Sequence, residues 1–353
     1  MRDRICCALA AALWLAGPAH AQGYAGLGAE AGAEFAIPRA DTSFDFPADH
    51  FAHPGYRIEW WYLTANLEGS DGTPYGIQWT LFRSALAPSR TDGWETDQVW
   101  LGHAAVTTPD AHLFDERFAR GGIGQAGVAE PFDAFIDDWS MRSTGGDDPL
   151  DRIALTARGD SFSYDLALTA EGPLIRHGDA GYSVKSLEGQ ASYYYSQPFY
   201  EVEGTLSLPR GDIQVTGSAW LDREWSSQPL SENQSGWDWF SLTFDSGAKM
   251  MAFGLRTDAE GTHFTSATWI EPDGEATAYG DGAVTLTTLE TGEVADRTLP
   301  LRWRVELPAR DLDITTAPIN RDAWMGTSFP YWEGPVTVSG SHAGRGYLEM
   351  TGY

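Results

Sequence analysis

Cysteine is nearly absent from this sequence of 353 residues. Its two cysteines, Cys6 and Cys7, lie within a first segment of 21 residues that has the features of a cleavable secretory signal peptide. A mature chain that begins at Gln22 therefore contains no cysteine, which excludes disulfide bonds, thiol catalysis and cysteine-liganded metal sites. Without such cross-links, the stability of the chain has to come from its core.

The signal peptide is predicted from the order of features at the N-terminus. Arg2 and Arg4 precede an apolar stretch at 5–16, and Ala19-His-Ala21 then places small residues at the two positions that a signal peptidase reads. We expect residues 1–21 to be removed and the protein to be exported, either to the periplasm or out of the cell. Later apolar runs all fall short of the roughly 18 residues of a membrane span, so we expect no integral membrane segment.

Positive charge is also scarce. The sequence has 50 Asp and Glu against 23 Lys and Arg, a formal net charge of −27, and its only lysines are Lys185 and Lys249. Nucleic acid is bound through a basic protein surface, so we expect no nucleic-acid partner. Anionic membrane surfaces would be repelled for the same reason. The acidity is typical of the solvated surface of an exported protein.

Aromatic residues, in contrast, are plentiful. The sequence contains 15 Trp, 14 Tyr and 16 Phe, which excludes intrinsic disorder and supplies apolar material for a large core. Short aromatic and β-branched runs recur from about residue 47, as in Arg57–Leu67 and Tyr75–Ser84, which the hairpin signal Asp71-Gly72 separates. Helical periodicity is unconvincing throughout. The pattern predicts an all-β protein built from barrels or sandwiches.

The length of the strand-rich region predicts two domains, because roughly 300 residues are too many for one small barrel. We expect an N-terminal arm at 22–46, a first domain at 47–228 and a second domain at 229–353. A low-complexity linker is missing from this boundary. The two domains are therefore expected to pack closely and to share an interface.

Several catalytic motifs occur without the structural context that they need. The dinucleotide-type glycine spacing at Gly122–Gly127 has no strand–turn–helix unit around it, and Ser246-Gly-Ala-Lys249 falls in a hairpin turn. The histidines are scattered: His50 and His53 lie three residues apart with no helix to bring them together, so we predict no metal site. His103, beside a strand of small residues, is either a hydrogen-bonding core residue or a base. A hydrolase would lack a recognisable nucleophile.

Two segments place carboxylates among tryptophans. In Arg57-Ile-Glu-Trp-Trp-Tyr62, a strand would turn Glu59 and Trp61 to one side, and Trp60 and Tyr62 to the other. In Trp220-Leu-Asp-Arg-Glu-Trp225, a strand would place Trp220, Asp222 and Glu224 on one face. Trp237 and Trp239 follow soon after. Carboxylates in such surroundings are costly to bury unless they are paired or protonated.

This arrangement has two interpretations. In the structural one, Glu59, Asp222 and Glu224 pair with arginines and hold strands together; the candidate partners are Arg57, Arg83, Arg223 and Arg256. In the functional one, aromatic side chains line a pocket in which desolvation raises the pKa of one carboxyl group. Such a neutral acid can protonate a carbon–carbon double bond, aromatic faces can stabilise the carbocation, and water can add to it. This hydration requires no cofactor.

At these segments the sequence resembles the AttH-type proteins, which are related to carotenoid 1,2-hydratase (hydroxyneurosporene synthase). The resemblance runs from about residue 46 over nearly all of the remaining chain. The matching stretches are Phe46-Pro-Ala-Asp-His50, His53-Pro-Gly-Tyr-Arg-Ile-Glu-Trp-Trp-Tyr62, Gly102-His-Ala104, Ser192-Tyr-Tyr-Tyr-Ser196, Ala219-Trp-Leu-Asp-Arg-Glu-Trp-Ser226, Gly236-Trp-Asp-Trp-Phe240, Tyr331-Trp-Glu-Gly334 and Gly344-Arg-Gly-Tyr-Leu-Glu349.

The resemblance implies two lipocalin-like antiparallel β-barrel domains, packed side by side with a shared cleft. It also implies a hydrophobic ligand, since members include hydratases of isoprenoids. Asp222 matches the aspartate proposed as the acid in the hydratases, and Tyr193, Tyr195 and Trp220 fall at other site positions. Other members are encoded with ABC-type transport systems, which implies an ABC-type permease as a partner.

We therefore carry two hypotheses. The first is an exported hydratase without a cofactor, in which Asp222 is the acid, and Glu59 and Glu224 position water or tune the acid. The second is a carrier of a lipid or amphiphile that works with an ABC-type permease and turns nothing over. In either case the residues expected at the cleft are Trp60, Trp61, Tyr62, His103, Tyr193, Tyr195, Trp220, Trp237 and Trp239.

Overall fold

The computed structural model describes residues 35–88, 93–228, 230–231, 233–257 and 263–353. The predicted signal peptide at 1–21 and residues 22–34 of the predicted arm lie outside these ranges. The described residues form β-sheet with short 3₁₀ helices at Ala48–His50, Gly93–Glu95 and Pro308–Arg310. None of their helices is long and apolar enough to cross a membrane.

The strands of the first half of the described chain form one antiparallel sheet of thirteen strands. They are β1 (Ile58–Gly69), β2 (Pro74–Ala85), β3 (Gln98–Thr107), β4 (His112–Arg120), β5 (Ala126–Ala129), β6 (Asp133–Ile136), β7 (Trp139–Gly145), β8 (Arg152–Arg158), β9 (Ser163–Ala170), β10 (Ile175–Arg176), β11 (Tyr182–Val184), β12 (Ala191–Leu208) and β13 (Gly211–Ser226).

The order of the first sheet is β4-β3-β2-β1-β13-β12-β9-β8-β7-β6-β5, and β10 and β11 also pair with β12. The sheet curls, because β6 from one end packs against β2 and β3 near the other. The predicted hairpin is confirmed: β1 and β2 pair across a turn in which Gly72 has a φ of 76°, a conformation that favours glycine.

The strands that follow form a second antiparallel sheet of ten strands within the described residues. They are β14 (Gln234–Phe244), β15 (Lys249–Thr257), β16 (His263–Ile270), β17 (Ala276–Tyr279), β18 (Thr285–Val294), β19 (Arg297–Leu307), β20 (Leu312–Pro318), β21 (Trp324–Met325), β22 (Tyr331–Gly340) and β23 (Gly344–Thr351). The main path is β17-β16-β15-β14-β23-β22-β20-β19-β18, and β21 pairs with β22. The predicted all-β class with two barrel-like domains is confirmed.

Each sheet encloses its own core. Trp61, Trp79 and Trp139 are fully buried in the first core, and Trp303 and Trp332 are buried in the second. Strand residues alternate between the two faces of a sheet, so the residues next to the inward-pointing ones face outward from the barrel. On β1, β12 and β13 these outward side chains pack against the second sheet instead of meeting solvent.

A third apolar cluster therefore joins the two barrels. Its fully or nearly buried members come from both sheets: Tyr62, Ile175, Tyr194, Trp220, Trp239, Met251, Phe253, Leu255, Phe264, Ile270 and Tyr347. Hydrogen bonds reinforce this contact, as where the Gln78 amide donates to the Tyr331 hydroxyl at 2.8 Å. The connection between β13 and β14 contains the predicted domain boundary at 228/229. The site described below lies beside this cluster.

Candidate functional site

A cleft opens between the two barrels. About 720 Å³ of empty space, its solvent-open mouth included, lies between the side chains that line it. The lining residues of the first barrel and its loops are Trp60, Tyr62, Phe82, Lys185, Tyr194, Asp222 and Glu224. Those of the second barrel and the connection to it are Leu230, Trp237, Trp239, Phe253, Leu255 and Glu349. A mostly aromatic surface with a few polar groups is typical of a small-molecule site.

Asp222 is the most deeply buried carboxyl group on the first wall of the cleft, at 2% exposure. Its oxygens accept hydrogen bonds from the Tyr194 hydroxyl at 2.8 Å, from Trp220 Nε1 at 2.6 Å and from the Ser196 hydroxyl. Burial raises the pKa of Asp222 to about 7, against the opposing effect of these three donors, and the charge of Glu224 adds to the rise. Asp222 can therefore hold a proton near neutral pH.

A hydrogen-bond chain extends from Asp222 away from the cleft. Behind Ser196, the Nε2 atom of His177 lies 2.6 Å from the Ser196 hydroxyl, and its Nδ1 atom lies 2.9 Å from the Thr268 hydroxyl on β16. Burial, assisted by the charge of Lys185, lowers the pKa of His177 to about 3, so the ring is neutral. With its proton on Nδ1, His177 donates to Thr268 and accepts from Ser196. The Ser196 hydroxyl oxygen is then able to accept a hydrogen bond from a protonated Asp222.

Glu224 lies next to Asp222 on the same face of β13 but in a different setting. The Lys185 ammonium lies 2.8 Å from Glu224 Oε1, and the Ser192 hydroxyl donates to the same oxygen at 2.5 Å. The Lys185 ammonium also lies over the rings of Phe253 and Tyr194, at 4.3 and 4.9 Å. The cleft thus contains an ion pair beside its buried acid.

Glu349 is the polar group of the opposite wall. Trp237 Nε1 donates to its carboxylate at 2.5 Å. Glu333 lies directly opposite Glu349 across β22 and β23, and the interaction between the two carboxyl groups lowers the pKa of Glu349 and raises that of Glu333. Tyr62, from the first barrel, donates to Glu333 Oε1 at 2.6 Å. Burial raises the pKa of Glu349 to about 7 and that of Glu333 well above its ordinary value, so Glu333 is the protonated member of the pair.

The structure brings together many of the residues expected at the cleft. Trp60, Tyr62, Trp237 and Trp239 line it with Asp222 and Glu224. Trp220 is buried behind Asp222 and holds it through its indole N–H. The arginine pairing of the structural interpretation occurs elsewhere, as between Arg256 and Asp238 at 2.8 Å.

Glu59 is placed on the other face of β1, away from the cleft. It is fully buried and pairs with Arg83 and, at 3.2 Å, with Arg223. The backbone N–H and the ring Nδ1 of His53 bind it at 2.8 and 3.0 Å. Burial alone would raise the pKa of Glu59, but Arg83, His53 and Arg223 outweigh it and lower the pKa. Glu59 therefore holds the first barrel together and does not reach the ligand space.

Four expected cleft residues also lie elsewhere. Trp61 faces the first core, where the Arg223 guanidinium stacks on its ring at 3.8 Å. The Tyr193 hydroxyl binds the backbone of the arm, and the Tyr195 hydroxyl lies 2.6 Å from His50 Nδ1. His103 is buried between the Tyr331 hydroxyl and Glu116, at 2.9 and 3.1 Å. Strand alternation turns Trp61, Tyr193 and Tyr195 away from the cleft. His103 is in register with Tyr62 on the same face but lies two strands away from it.

Other site residues were not predicted from the sequence. Tyr194 and Ser196 belong to this group, and the register of β12 against β13 explains their position: Tyr194 is opposite Glu224, and Ser196 is opposite Asp222. The alternation of Ser192–Ser196 contains this information once the partner strand is known. Lys185, His177 and Glu349 come from distant parts of the chain. No local pattern points to them.

Asp222 and Glu349, two of the three described carboxyl groups with a raised pKa, should make stability fall as pH rises. Unfolded Asp and Glu release their protons near pH 4, whereas Asp222 and Glu349 in the folded protein hold theirs to about pH 7. Between these values the folded state binds more protons, so their contribution is complete below about pH 4 and is lost as pH rises through about 7. Each group can contribute up to about 1.4 kcal/mol per pH unit.

Urea unfolding of the wild type, Asp222→Asn and Glu349→Gln at several values between about pH 4.5 and 7.5 measures this effect. Each variant should show a weaker loss of unfolding free energy with rising pH than the wild type. Glu59, whose pKa is lowered, contributes an opposite dependence of stability on pH, but this contribution changes at pH values below the measured range. Parallel profiles for all three proteins would contradict the protonation of both groups.

Comparisons with known proteins agree with this architecture. A model of the AttH-like family matches residues 37–353. A Nitrosomonas europaea protein assigned to AttH has a crystal structure that is 34% identical in sequence, with a TM-score of 0.79; the alignment covers 90% of this chain and 100% of that one. Curated protein sequences give no significant match.

Two further solved structures share the fold at low identity. Kievitone hydratase from Nectria haematococca is 17% identical with a TM-score of 0.66, and the alignment covers 90% of this chain and 98% of that one. CghA with Sch210972 is 12% identical with a TM-score of 0.50, over 92% and 97% of the two chains. The expected resemblance to AttH-type proteins is confirmed. This chain belongs to the AttH-like family.

Proposed function

We propose that this protein is a hydratase that adds water to a carbon–carbon double bond of a hydrophobic, prenyl-type ligand, with Asp222 as the general acid. The observation that carries the proposal is the setting of Asp222. It is buried in an aromatic cleft, and its partners are the neutral side chains Tyr194, Trp220 and Ser196. A carboxyl group in this setting holds a proton that it can transfer to a ligand in the cleft.

The reaction needs few groups. Asp222 transfers its proton to one carbon of the double bond, and the positive charge develops on the other carbon. The rings of Trp60, Trp239 and Tyr194 line the same space and can stabilise this charge through their faces. A water molecule then adds to the cation and loses a proton, which gives an alcohol. Glu224, held by Lys185, is placed to orient that water, and no step requires a cofactor.

The alternative is a carrier that binds a lipid or amphiphile and delivers it to an ABC-type permease. The Lys185–Glu224 ion pair favours this alternative, because a fixed ion pair at a cleft can hold a polar headgroup. The environment of Asp222 favours the hydratase, since a carrier has no need of a buried acid without an arginine. Export, to the periplasm or out of the cell, is part of both proposals and depends on the predicted signal peptide.

A direct assay separates the two. The purified protein is incubated with kievitone, prenylated phenols and linear isoprenoids in water labelled with heavy oxygen, and products are analysed by mass spectrometry. A hydratase should yield a product heavier by one labelled water. Recovery of bound but unchanged ligand across the whole panel, and of an unmodified lipid from freshly purified protein, would favour the carrier and contradict the hydratase.

A further inference from the structure

Hydration requires two proton transfers, and the proposed acid performs only one of them. A proton must reach carbon, and another must leave the water that attacks the cation. The cleft has a carboxyl group on each wall: Asp222 on β13 of the first barrel and Glu349 on β23 of the second. The ligand space lies between them. This arrangement supplies a candidate for the second transfer.

The hydrogen bonds of Glu349 suit an ionised carboxylate. Trp237 donates to Oε1 through its indole N–H. Glu333 lies opposite Glu349 on the neighbouring strand, where its protonated form can donate to Glu349, and the Tyr62 hydroxyl of the first barrel donates to Glu333 Oε1 at 2.6 Å. These neighbours can donate hydrogen bonds to Glu349, and an ionised Glu349 accepts them with a fully charged carboxylate. A protonated Glu349 would instead compete with its own donors.

Asp222 has a different environment, because one of its partners, Ser196, is able to accept a hydrogen bond from it. Ser196 can turn its own proton toward His177 Nε2, 2.6 Å away, and so accept a hydrogen bond from the protonated Asp222. The neutral His177 ring provides the lone pair at the end of this chain. The hydrogen-bond partners of Asp222 therefore suit its protonated form, and those of Glu349 suit its ionised form.

Glu224 is less suited to the second transfer. Its Oε1 atom is already bound by the Lys185 ammonium at 2.8 Å and by the Ser192 hydroxyl at 2.5 Å. This oxygen is therefore already occupied by two donors. Among the described residues, Glu333, Glu224 and Tyr62 interact electrostatically with Glu349, and Asp222 and Lys185 line the same cleft. The charge of Glu224 raises the pKa of Glu349, whereas Glu333 lowers it, and neither residue needs to enter the reaction.

We propose that Glu349 is a second catalytic residue, the base that takes the proton from the attacking water opposite Asp222. The inference rests on the proposed hydration. In the sequence of steps, the O–H bond of Asp222 breaks as a C–H bond forms, and the water oxygen then forms a C–O bond with the cation. One proton of that water passes to Glu349. Solvent returns the proton from Glu349 to Asp222, so the net change is one water added to one double bond.

The experiment uses Glu349→Gln in deuterium oxide, with the substrate that the wild-type protein hydrates. Without the base, the cation should form but be captured slowly, and the Asp222 carboxylate should remove either hydrogen from the protonated carbon. Hydration should fall about 100-fold, while the recovered alkene gains deuterium at its vinyl carbon. A purely structural defect would lower both rates together. Glu203→Gln, on the exposed side of β12, is the matched control.

Glu333 offers a test of positioning. Glu333→Leu removes the donor that faces Glu349 and should lower hydration relative to deuterium exchange. Glu333→Gln keeps an N–H donor there and should restore part of the ratio of hydration to deuterium exchange. Should Glu349→Gln not fold, the same ratio is measured in the wild type: as pH falls below about 7, Glu349 takes up a proton, and exchange should gain over hydration.

The outcomes separate the two proposals. Failure of the wild type to hydrate any ligand in the panel contradicts the proposed function itself. Hydration by Glu349→Gln at the wild-type rate contradicts only the role of Glu349. Loss of both hydration and deuterium exchange in a folded Glu349→Gln variant would show that Glu349 is needed for protonation, and it would overturn its assignment as the base.

Discussion

Replacement of Asp222 by Asn should lower the rate of hydration by about 100-fold or more while ligand binding is preserved. An amide cannot give a proton to carbon, so the first step of the reaction is lost. It can nevertheless keep two of the three local contacts: with its nitrogen in the place of Oδ1 its N–H donates to the Ser196 hydroxyl, and its oxygen accepts from Tyr194, while the hydrogen bond from Trp220 to Oδ1 is lost. The two side chains also have nearly the same volume, so the packing of the cleft is conserved.

The measurement is turnover together with the dissociation constant of the same ligand. Asp165→Asn, on an exposed position of β9, is the matched control and should behave as the wild type. Deuterium incorporation into recovered alkene should also disappear in Asp222→Asn, which distinguishes it from Glu349→Gln. Turnover at the wild-type rate, or a loss of binding as large as the loss of turnover, would contradict the role of Asp222 as the acid.

Replacement of Glu59 by Gln should have the largest effect on stability. The change removes the negative charge that two fully buried guanidinium groups, those of Arg83 and Arg223, share inside the first barrel. Loss of one partner from a buried ion pair costs about 3–5 kcal/mol, because the remaining charges stay desolvated. This is a large part of the roughly 5–15 kcal/mol by which a folded domain is stable.

Urea or thermal unfolding measures the loss, with Glu203→Gln as the surface control. Arg223 also donates to the carbonyl oxygens of Trp60 and Phe51, at 2.8 and 2.9 Å, so the destabilisation should extend to the segment that precedes β1. Hydrogen exchange of residues 49–60 should therefore rise more than exchange in the second barrel. A loss of less than about 1 kcal/mol would show that solvent or another acid compensates the two arginines.

The fold was largely predictable because its signals are local. Alternating aromatic and β-branched residues indicate strands, and Asp71-Gly72 indicates the hairpin that joins β1 and β2. Strands at 112–145 were not predicted, since β4 has several charged residues and is mostly half-exposed. Such strands lack a clear hydrophobic face, and pairing with neighbours selects their conformation.

The site was only partly predictable, because the surroundings of each face of a strand depend on which other strands and sheets pack against it. Alternation on β1 correctly separated Glu59 and Trp61 from Trp60 and Tyr62, but it could not tell which face meets the second barrel. On β12 the resemblance to the hydratases implied Tyr193 and Tyr195 as site residues, although Tyr194 between them reaches the cleft. Glu349 lies more than a hundred residues from Asp222, and the docking of two separate sheets alone brings it to the same space.

The contact between Tyr62 and Glu333 has a consequence for how such a protein can diverge. The hydroxyl of one barrel holds the acid that supports Glu349 on the other, so a small shear between the barrels would change the spacing of the two walls while leaving each hydrophobic core intact. Substitutions at this contact between the barrels can therefore alter or abolish catalysis without destabilising either barrel. One scaffold could in this way yield both catalysts and carriers.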